Sequence, residues 1–133
     1  MIIGNKNFKC GTHVMAIINL TPDSFFPAGR HNESDVLSAV ERAVNEGAEV
    51  IDIGAQSTRP GYSEVSAEEE IGRFLKPLVE IKKRFPVPVS VDTYFSLSAR
   101  AALENGADMI NDVWGLTHDE DMARTVAKFG ASV

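Results

Sequence analysis

Short apolar runs alternate with longer amphipathic stretches along this chain. The runs span residues 14–18, 50–53, 87–91 and 109–110. Continuous apolar runs of this kind are typical of strands that are buried on both faces, as in a parallel sheet. Their alternation with helical stretches predicts successive βα units, which is an α/β architecture.

Polar residues close or interrupt the end of each apolar run. They are Asn19, Asp52, Gln56, Asp92, Asn111 and Asp112. The carboxyl ends of parallel strands meet at one edge of the sheet, where a βα-barrel builds its active site. We therefore expect these side chains to face a common site.

Helical periodicity and end signals fill the stretches between the runs. Ser34 is suited to cap the first helix. The apolar face of that helix comprises Val36, Val40, Ala43 and Val44. Ser66 and Glu69 have the spacing of a capping box for the second helix, and Pro77 is expected to kink or break it. The buried stripe of the second helix comprises Ile71, Leu75, Leu78 and Val79.

The later part of the chain continues the same alternation. A third helix is predicted for about residues 96–105, and a fourth has an apolar stripe of Met122, Val126 and Phe129. Residues 1–12 are interpreted as a polar lead-in that precedes the first strand.

A Gly-Ala pair recurs before apolar positions, beginning at Gly47, Gly106 and Gly130. The copies are separated by two βα units and then by one, which supports the predicted helices. The repeat predicts four βα units and a fifth strand starting at Val133. Because a complete βα-barrel takes about 250 residues, the chain is expected to be the N-terminal half of a larger barrel or a truncated product.

Composition mainly excludes classes of function. The net charge of −6 argues against a nucleic-acid partner, which would normally meet a basic surface. No stretch approaches about 20 apolar residues, so no membrane-spanning helix is predicted. Cys10 is the only cysteine, which excludes an internal disulfide and favours a reducing compartment such as the cytoplasm.

Two long segments carry a family resemblance. Residues 18–25 (Ile-Asn-Leu-Thr-Pro-Asp-Ser-Phe) and 51–61 (Ile-Asp-Ile-Gly-Ala-Gln-Ser-Thr-Arg-Pro-Gly) resemble the two signatures of dihydropteroate synthases. Residues 89–93 and 110–113 are similar to the third and fourth strand ends of that family. The resemblance covers nearly the whole chain and implies a TIM (β/α)8 barrel. The chain would cover about the first four βα units as one pterin-binding domain, residues 1–133.

The resemblance implies a transferase of folate biosynthesis. Such an enzyme joins 4-aminobenzoate to 6-hydroxymethyl-7,8-dihydropterin diphosphate and releases diphosphate, which gives 7,8-dihydropteroate. It further implies Mg²⁺ as cofactor, bound with the diphosphate by Asn19, and a cytoplasmic protein that is a homodimer when full length. The reaction needs no protein nucleophile, because the aniline nitrogen attacks, so His13, His31 and His118 are interpreted as non-catalytic.

The resemblance also implies which residues bind substrate. They are Pro22, Phe25, Thr58, Arg59, Pro60, Asp92 and Asn111, and of these Arg59 and Asp92 would take part in catalysis. A guanidinium suits the oxygens of a departing diphosphate. A carboxylate accepts hydrogen bonds from the N–H and amino groups of a pterin, and an Asn amide both donates and accepts.

Each candidate residue also has an ordinary structural interpretation. Asn19 and Asn111 fit turn positions. Arg59 fits a solvated loop and Asp92 fits a helix N-terminus, whereas Asp52 fits a hydrogen-bonding role inside a strand. The two long signatures together favour the functional interpretation.

The chain departs from the family pattern at two places. Residues 26–29 read Phe-Pro-Ala-Gly where the family commonly has Ser-Asp-Gly-Gly, which should stiffen the first loop. Gln56 stands where the family commonly has Glu, so a charge is lost. The family's other pterin and diphosphate ligands come from later strands, so the 133-residue chain by itself is expected to have no measurable synthase activity.

Two alternatives stay open at this point. A pterin-binding methyltransferase domain shares the barrel and the Asp and Asn at the strand ends, but it is expected to lack the two signature loops. A non-catalytic half-barrel that acts as a binding or assembly module is the second alternative.

Overall fold

The computed structural model describes residues 1–20, 33–56 and 65–133. The strands of this part of the chain are β1 (Ile2–Ile3), β2 (Lys6–Asn7), β3 (Met15–Asn19), β4 (Val50–Gly54), β5 (Val89–Asp92) and β6 (Met109–Asn111). Its helices are α1 (Glu33–Asn45), α2 (Ala67–Arg84), α3 (Ser96–Glu104) and α4 (Met122–Phe129).

Strands β3 to β6 form a parallel sheet in which each strand pairs with the next along the chain. Helices follow the strands in alternation, so the predicted α/β architecture of successive βα units is confirmed. A single parallel bridge joins Met109 to Ser132. The segment after α4 therefore lies against β6 in the direction predicted for a fifth strand.

One face of the sheet packs against the helices and forms the main core. The strands contribute apolar residues at alternate positions, and those that are buried are Ile18, Ile51, Ile53, Val89, Val91 and Ile110. The helices cover them with residues that include Val40, Phe74, Leu78, Ala99 and Met122. Because successive strand residues point to opposite faces, this packing determines which residues occupy the other face.

The opposite face carries two successive rows of register partners. Ile17, Asp52, Ser90 and Met109 form the first row. Asn19, Gly54, Asp92 and Asn111 form the second, at the carboxyl ends of the strands. The second row is called the site row below.

Residues 1–12 do not form a plain lead-in, so that interpretation was wrong. β1 and β2 pair as an antiparallel hairpin across a turn at Gly4, whose φ is +57°. Ile3 and Phe8 are buried with Val50 in a second, smaller core. Two-residue strands have almost no periodic signal, and the hairpin is stabilised by this packing at the amino end of the sheet.

Helix α2 continues through Pro77 to Arg84, so the predicted break did not occur. Its stripe differs from the prediction, because Phe74 and Ile81 are completely buried together with Leu78. Apolar burial on both sides of Pro77 compensates for the backbone hydrogen bond that proline removes. The cap was predicted correctly, since the hydroxyl of Ser66 accepts from the backbone N–H of Glu69 (3.2 Å).

The other helices agree with the sequence in most respects. Val36 and Val40 of α1 are buried as expected, although the helix already includes Ser34, which is therefore not its cap. Met122 and Val126 are buried in α4, whereas Phe129 stays 37% exposed. No helix in residues 1–20, 33–56 or 65–133 combines the length and apolar content needed to cross a bilayer.

Gly4 gives a direct test of how the hairpin docks. A Cβ added there would collide with Oδ1 of Asp108, whose Oδ2 already accepts from Nζ of Lys82 (2.6 Å) and the backbone N–H of Val89 (2.8 Å). With the added strain of a left-handed backbone, we expect Gly4→Ala to lower the free energy of unfolding by at least about 2 kcal/mol. Urea denaturation measures this change.

Gly72 provides the matched control within α2. Nothing lies within 4 Å of a Cβ added at this position. Gly72→Ala should therefore raise the free energy of unfolding by roughly 0.5–1 kcal/mol, as expected for Gly to Ala in a helix. Similar effects of the two substitutions would contradict the docking of Gly4 on Asp108.

Candidate functional site

The site row brings three predicted residues together at the carboxyl ends of the strands. Asn19, Asp92 and Asn111 lie on strands β3, β5 and β6, with Gly54 of β4 between the first two. A Cβ at Gly54 would lie 3.6 Å from Oδ2 of Asp92 and 3.8 Å from Oδ1 of Asn19. Glycine at this position therefore leaves open the space that both side-chain oxygens face.

Asp92 supplies the carboxyl group of the site row, and its pKa is perturbed. Burial raises the pKa of this carboxyl to about 6, and the negative charges of Asp52, Glu70 and Asp112 act in the same direction. A half-buried acid surrounded by other acids is unfavourable for folding and is typical of a functional site. Near neutral pH the Asp92 carboxyl is ionised in most molecules and can accept hydrogen bonds from a ligand.

Asn111 is hydrogen-bonded to a residue of the first row, which lies beneath the site row. Its Nδ2 group donates to Oδ2 of Asp52 at 3.2 Å. Asp52 is 1% exposed, and its other oxygen has no hydrogen-bond partner among the described residues. The buried hydroxyl of Ser90, its register partner on β5, also lacks a partner within that part of the chain. The interior face thus contains polar groups below the site row.

The first two turns of α2 are tied to the ends of β4 and β5. Oε2 of the buried Glu70 accepts from the hydroxyl of Thr93 (2.6 Å). Nη1 of Arg73 donates to the carbonyl of Ala55 (2.8 Å). Burial raises the pKa of Glu70, and the hydrogen bond from Thr93 acts in the opposite direction. These contacts anchor the chain on both sides of residues 57–64, which contain the second signature loop.

Two other polar residues from the strand ends serve neighbouring segments. Both carboxylate oxygens of Asp112 accept backbone N–H groups, from Trp114 (2.9 Å) and Leu116 (2.8 Å), and so shape the turn after β6. Nε2 of Gln56 donates to the hydroxyl of Tyr94 (2.7 Å). At the position where the family commonly has Glu, Gln56 therefore makes a neutral hydrogen bond.

An aromatic cluster lies beside these segments and was missed by the sequence reasoning. His118 makes an edge contact with Tyr94, with ring centroids 4.5 Å apart, and stacks with Trp114 at 6.0 Å. Phe95 contacts the same histidine edge-on at 5.9 Å. Aromatic residues on separate loops give no periodic signal, so only their convergence in space reveals the cluster. His13 instead pairs with Glu49 at the amino end of the sheet (2.8 Å).

The remaining predicted site residues lie outside the described parts of the chain. They are Pro22, Phe25, Thr58, Arg59 and Pro60, and the departure at residues 26–29 and His31 lie there too. The roles predicted for them, and the roles of Asn19, Asp92 and Asn111 toward a ligand, stay predictions.

Asn19 is the residue of the site row that suits a metal ion. Its side chain is exposed and offers a neutral carbonyl oxygen next to the space over Gly54. The described residues contain no cluster of three or more His, Cys, Asp or Glu that would form a protein cage for a metal. Mg²⁺ usually takes one or two protein oxygens and completes its shell with water and phosphate, and Asn19 fits that mode.

Comparison with known proteins gives a consistent picture. Residues 15–133 match the family described as "Pterin binding enzyme". The chain is 48% identical over 132 residues to a dihydropteroate synthase from Clostridium beijerinckii, covering 97% of this chain and 49% of that protein. It therefore spans about half the length of such a relative.

Solved structures of dihydropteroate synthases have the same fold. The enzyme from Clostridium difficile, solved in the presence of pteroic acid, is 40% identical to this chain with a TM-score of 0.87. The match covers 90% of this chain and 46% of that enzyme's chain. The enzyme from Xanthomonas albilineans, solved with 4-aminobenzoic acid, is 41% identical with a TM-score of 0.79 and covers 87% and 43%. The expected partial TIM barrel is thereby confirmed.

The raised pKa of Asp92 predicts a stability effect with a defined sign. The folded protein holds this proton up to about pH 6, against 3.8 for the ordinary carboxyl, so wild-type stability is lost as pH rises between these values. We expect Asp92→Asn to raise the free energy of unfolding at about pH 8 by roughly 1–2 kcal/mol, after allowance for solvent screening. Denaturant titrations across pH measure this.

The stabilisation should disappear at about pH 2.5, below both pKa values, where the wild-type carboxyl is neutral in both states. Asp121→Asn is the control, because Asp121 is exposed and lies outside the site row. A gain that does not depend on pH, or no gain at all, would contradict the assigned electrostatics.

Proposed function

Given that the chain belongs to the pterin-binding enzyme family, we propose that it forms the pterin-binding part of a dihydropteroate synthase. The proposed reaction joins 4-aminobenzoate to 6-hydroxymethyl-7,8-dihydropterin diphosphate and yields 7,8-dihydropteroate and diphosphate. The observation that carries the proposal is the site row, in which Asn19, Asp92 and Asn111 converge around Gly54. The matched relatives that are named dihydropteroate synthases support the same assignment.

The pterin is the ligand that Asp92 and Asn111 would recognise. A pterin edge presents ring N–H and amino donors beside a carbonyl acceptor. The carboxylate of Asp92 accepts from such donors, and the amide of Asn111 complements either type. Because these groups are partly buried, a ring without matching donors would leave them unpaired, which gives strong discrimination.

The diphosphate is proposed to lie between Asn19 and the second signature loop. Asn19 would hold a Mg²⁺ ion together with the diphosphate, and a bound Mg²⁺ would neutralise charge on the leaving group. Thr58 and Arg59 would contact the phosphate oxygens, and the guanidinium would stabilise the charge that develops as diphosphate departs. The anchors at Ala55 and Glu70 support this loop on its two sides.

The transfer itself is an alkylation of the aniline nitrogen. The nitrogen lone pair of 4-aminobenzoate forms a bond to the pterin methylene carbon, the carbon–oxygen bond to diphosphate breaks, and the nitrogen loses a proton to solvent. The chain's part is to orient the ring and to exclude water. Pro22, Phe25 and Pro60 are proposed to contribute to that enclosure. A homodimer and a cytoplasmic location stay predictions.

Calorimetry of ligand binding tests the proposed site directly, because turnover is not expected of the chain alone. We expect the pterin diphosphate to bind the wild type, and to bind more weakly when Mg²⁺ is removed with EDTA. Asn111→Ala and Asp92→Asn should each weaken binding about tenfold or more, since each removes a buried hydrogen bond.

Asn105→Ala is the matched control, since Asn105 is an exposed amide at the end of α3. The affinity of the Asn105→Ala variant for the pterin diphosphate should equal that of the wild type. Binding that both site substitutions leave intact would contradict the proposed function.

The pH dependence of pterin binding gives a second test. Since the ionised Asp92 is the acceptor and its pKa is about 6, affinity should be constant above about pH 7. It should fall by up to about tenfold per pH unit well below the pKa. Asp92→Asn should bind weakly at every pH, and an unchanged slope in that variant would show that another group titrates.

A further inference from the structure

We propose that Asp52 is a positioning residue, whose carboxylate determines which end of the Asn111 side-chain amide faces the bound ring. The inference rests on the proposed function and deepens it, because it explains how the site would select a ring that presents N–H donors.

Asp52 occupies a position where a carboxylate is unfavourable for folding. It lies in the middle of β4, is 1% exposed, and faces away from the helices, whereas its neighbours Ile51 and Ile53 supply the packing. Burying a carboxylate without a cation beside it is energetically costly. Within the described residues, Asp52 accepts a hydrogen bond from the neutral amide of Asn111, and its other oxygen has no partner. Packing therefore does not explain an acid at this position.

The hydrogen bond to Asn111 supplies an explanation. A carboxylate only accepts hydrogen bonds, so the amide of Asn111 must turn its Nδ2 group toward Asp52 (3.2 Å). The carbonyl oxygen Oδ1 of Asn111 then points away from Asp52. Asn111 and Asp92 are register partners on adjacent strands. The site row therefore offers two acceptors in succession, and a ligand that presents adjacent donors matches them.

The second oxygen of Asp52 strengthens the argument. Oδ1 is buried and has no partner among the described residues, so the carboxylate is not consumed by a structural network. The same charge acts on Asp92, as its contribution to the raised pKa of that residue indicates. Asp52 thus influences both ligand-facing groups of the row from the layer beneath them.

The test compares two rings that differ in donor pattern. 6-Hydroxymethylpterin has an amino donor where 6-hydroxymethyllumazine has a carbonyl acceptor. We expect the wild type to bind the pterin at least about tenfold more tightly. In Asp52→Asn, which preserves size but offers either a donor or an acceptor to Asn111, this ratio of dissociation constants should fall toward one.

Ser90→Ala is the matched control, because Ser90 is the register partner of Asp52 and is buried without a partner among the described residues. It should keep the wild-type ratio. An Asp52→Asn variant that binds both rings more weakly by the same factor has only a structural defect, and that outcome would overturn the inference. A wild type that binds neither ring would contradict the proposed function instead.

A measurement on the ligand-free protein separates the two outcomes further. The side-chain amide signals of Asn111, assigned in ¹⁵N-labelled protein by comparison with Asn111→Ala, report the hydrogen bond to Asp52. They should shift in Asp52→Asn and remain in place in Ser90→Ala. Unchanged signals in Asp52→Asn would overturn the inference whether or not the pterin binds.

Discussion

The parallel register of β3 to β6 is the constraint on which the rest of the structure depends. Side chains alternate between the two faces of a strand, so a slip of one residue would exchange every inward and outward position. Ile51 and Ile53 must meet the helices, and this requirement turns Asp52 and Gly54 to the other face. The packing of the core residues therefore also sets the positions of the residues next to them along each strand. The site row is aligned by this packing, and no further interaction is needed to align its polar residues.

The face that carries the site is unfavourable in terms of stability. Acidic side chains lie within or directly after adjacent strands, at Asp52, Asp92 and Asp112. Burial raises the pKa of Asp92, and the negative charges around it act in the same direction. The apolar layer on the helix side compensates for this, since it is almost completely excluded from solvent. Such a division is typical of βα-barrels, in which the strand ends carry function and the layer beneath the helices carries stability.

Local sequence rules predicted the elements whose burial is indicated by neighbouring residues. They failed for elements whose burial depends on residues that are distant along the chain. The four strands were predicted to within about two residues, because continuous apolar runs are typical of the strands of a parallel sheet, although Met15 and Ile17 of β3 are exposed. The hairpin of β1 and β2 was missed, since its formation depends on Val50 and Met109, which are distant along the chain. Pro77 was expected to kink or break α2, but no break occurs, because Phe74, Leu78 and Ile81 hold the helix against the sheet.

The sequence by itself determined the order of βα units, the family and the placement of Asn19, Asp92 and Asn111 together at the carboxyl ends of the strands. It did so because strand periodicity and signature motifs are properties of neighbouring residues. Only the tertiary structure decided which of the polar residues support one another. Asp52 and Asn111 are 59 positions apart in the chain and 3.2 Å apart in space, and no local pattern encodes a hydrogen bond between side chains of two strands that are not direct neighbours in the sheet.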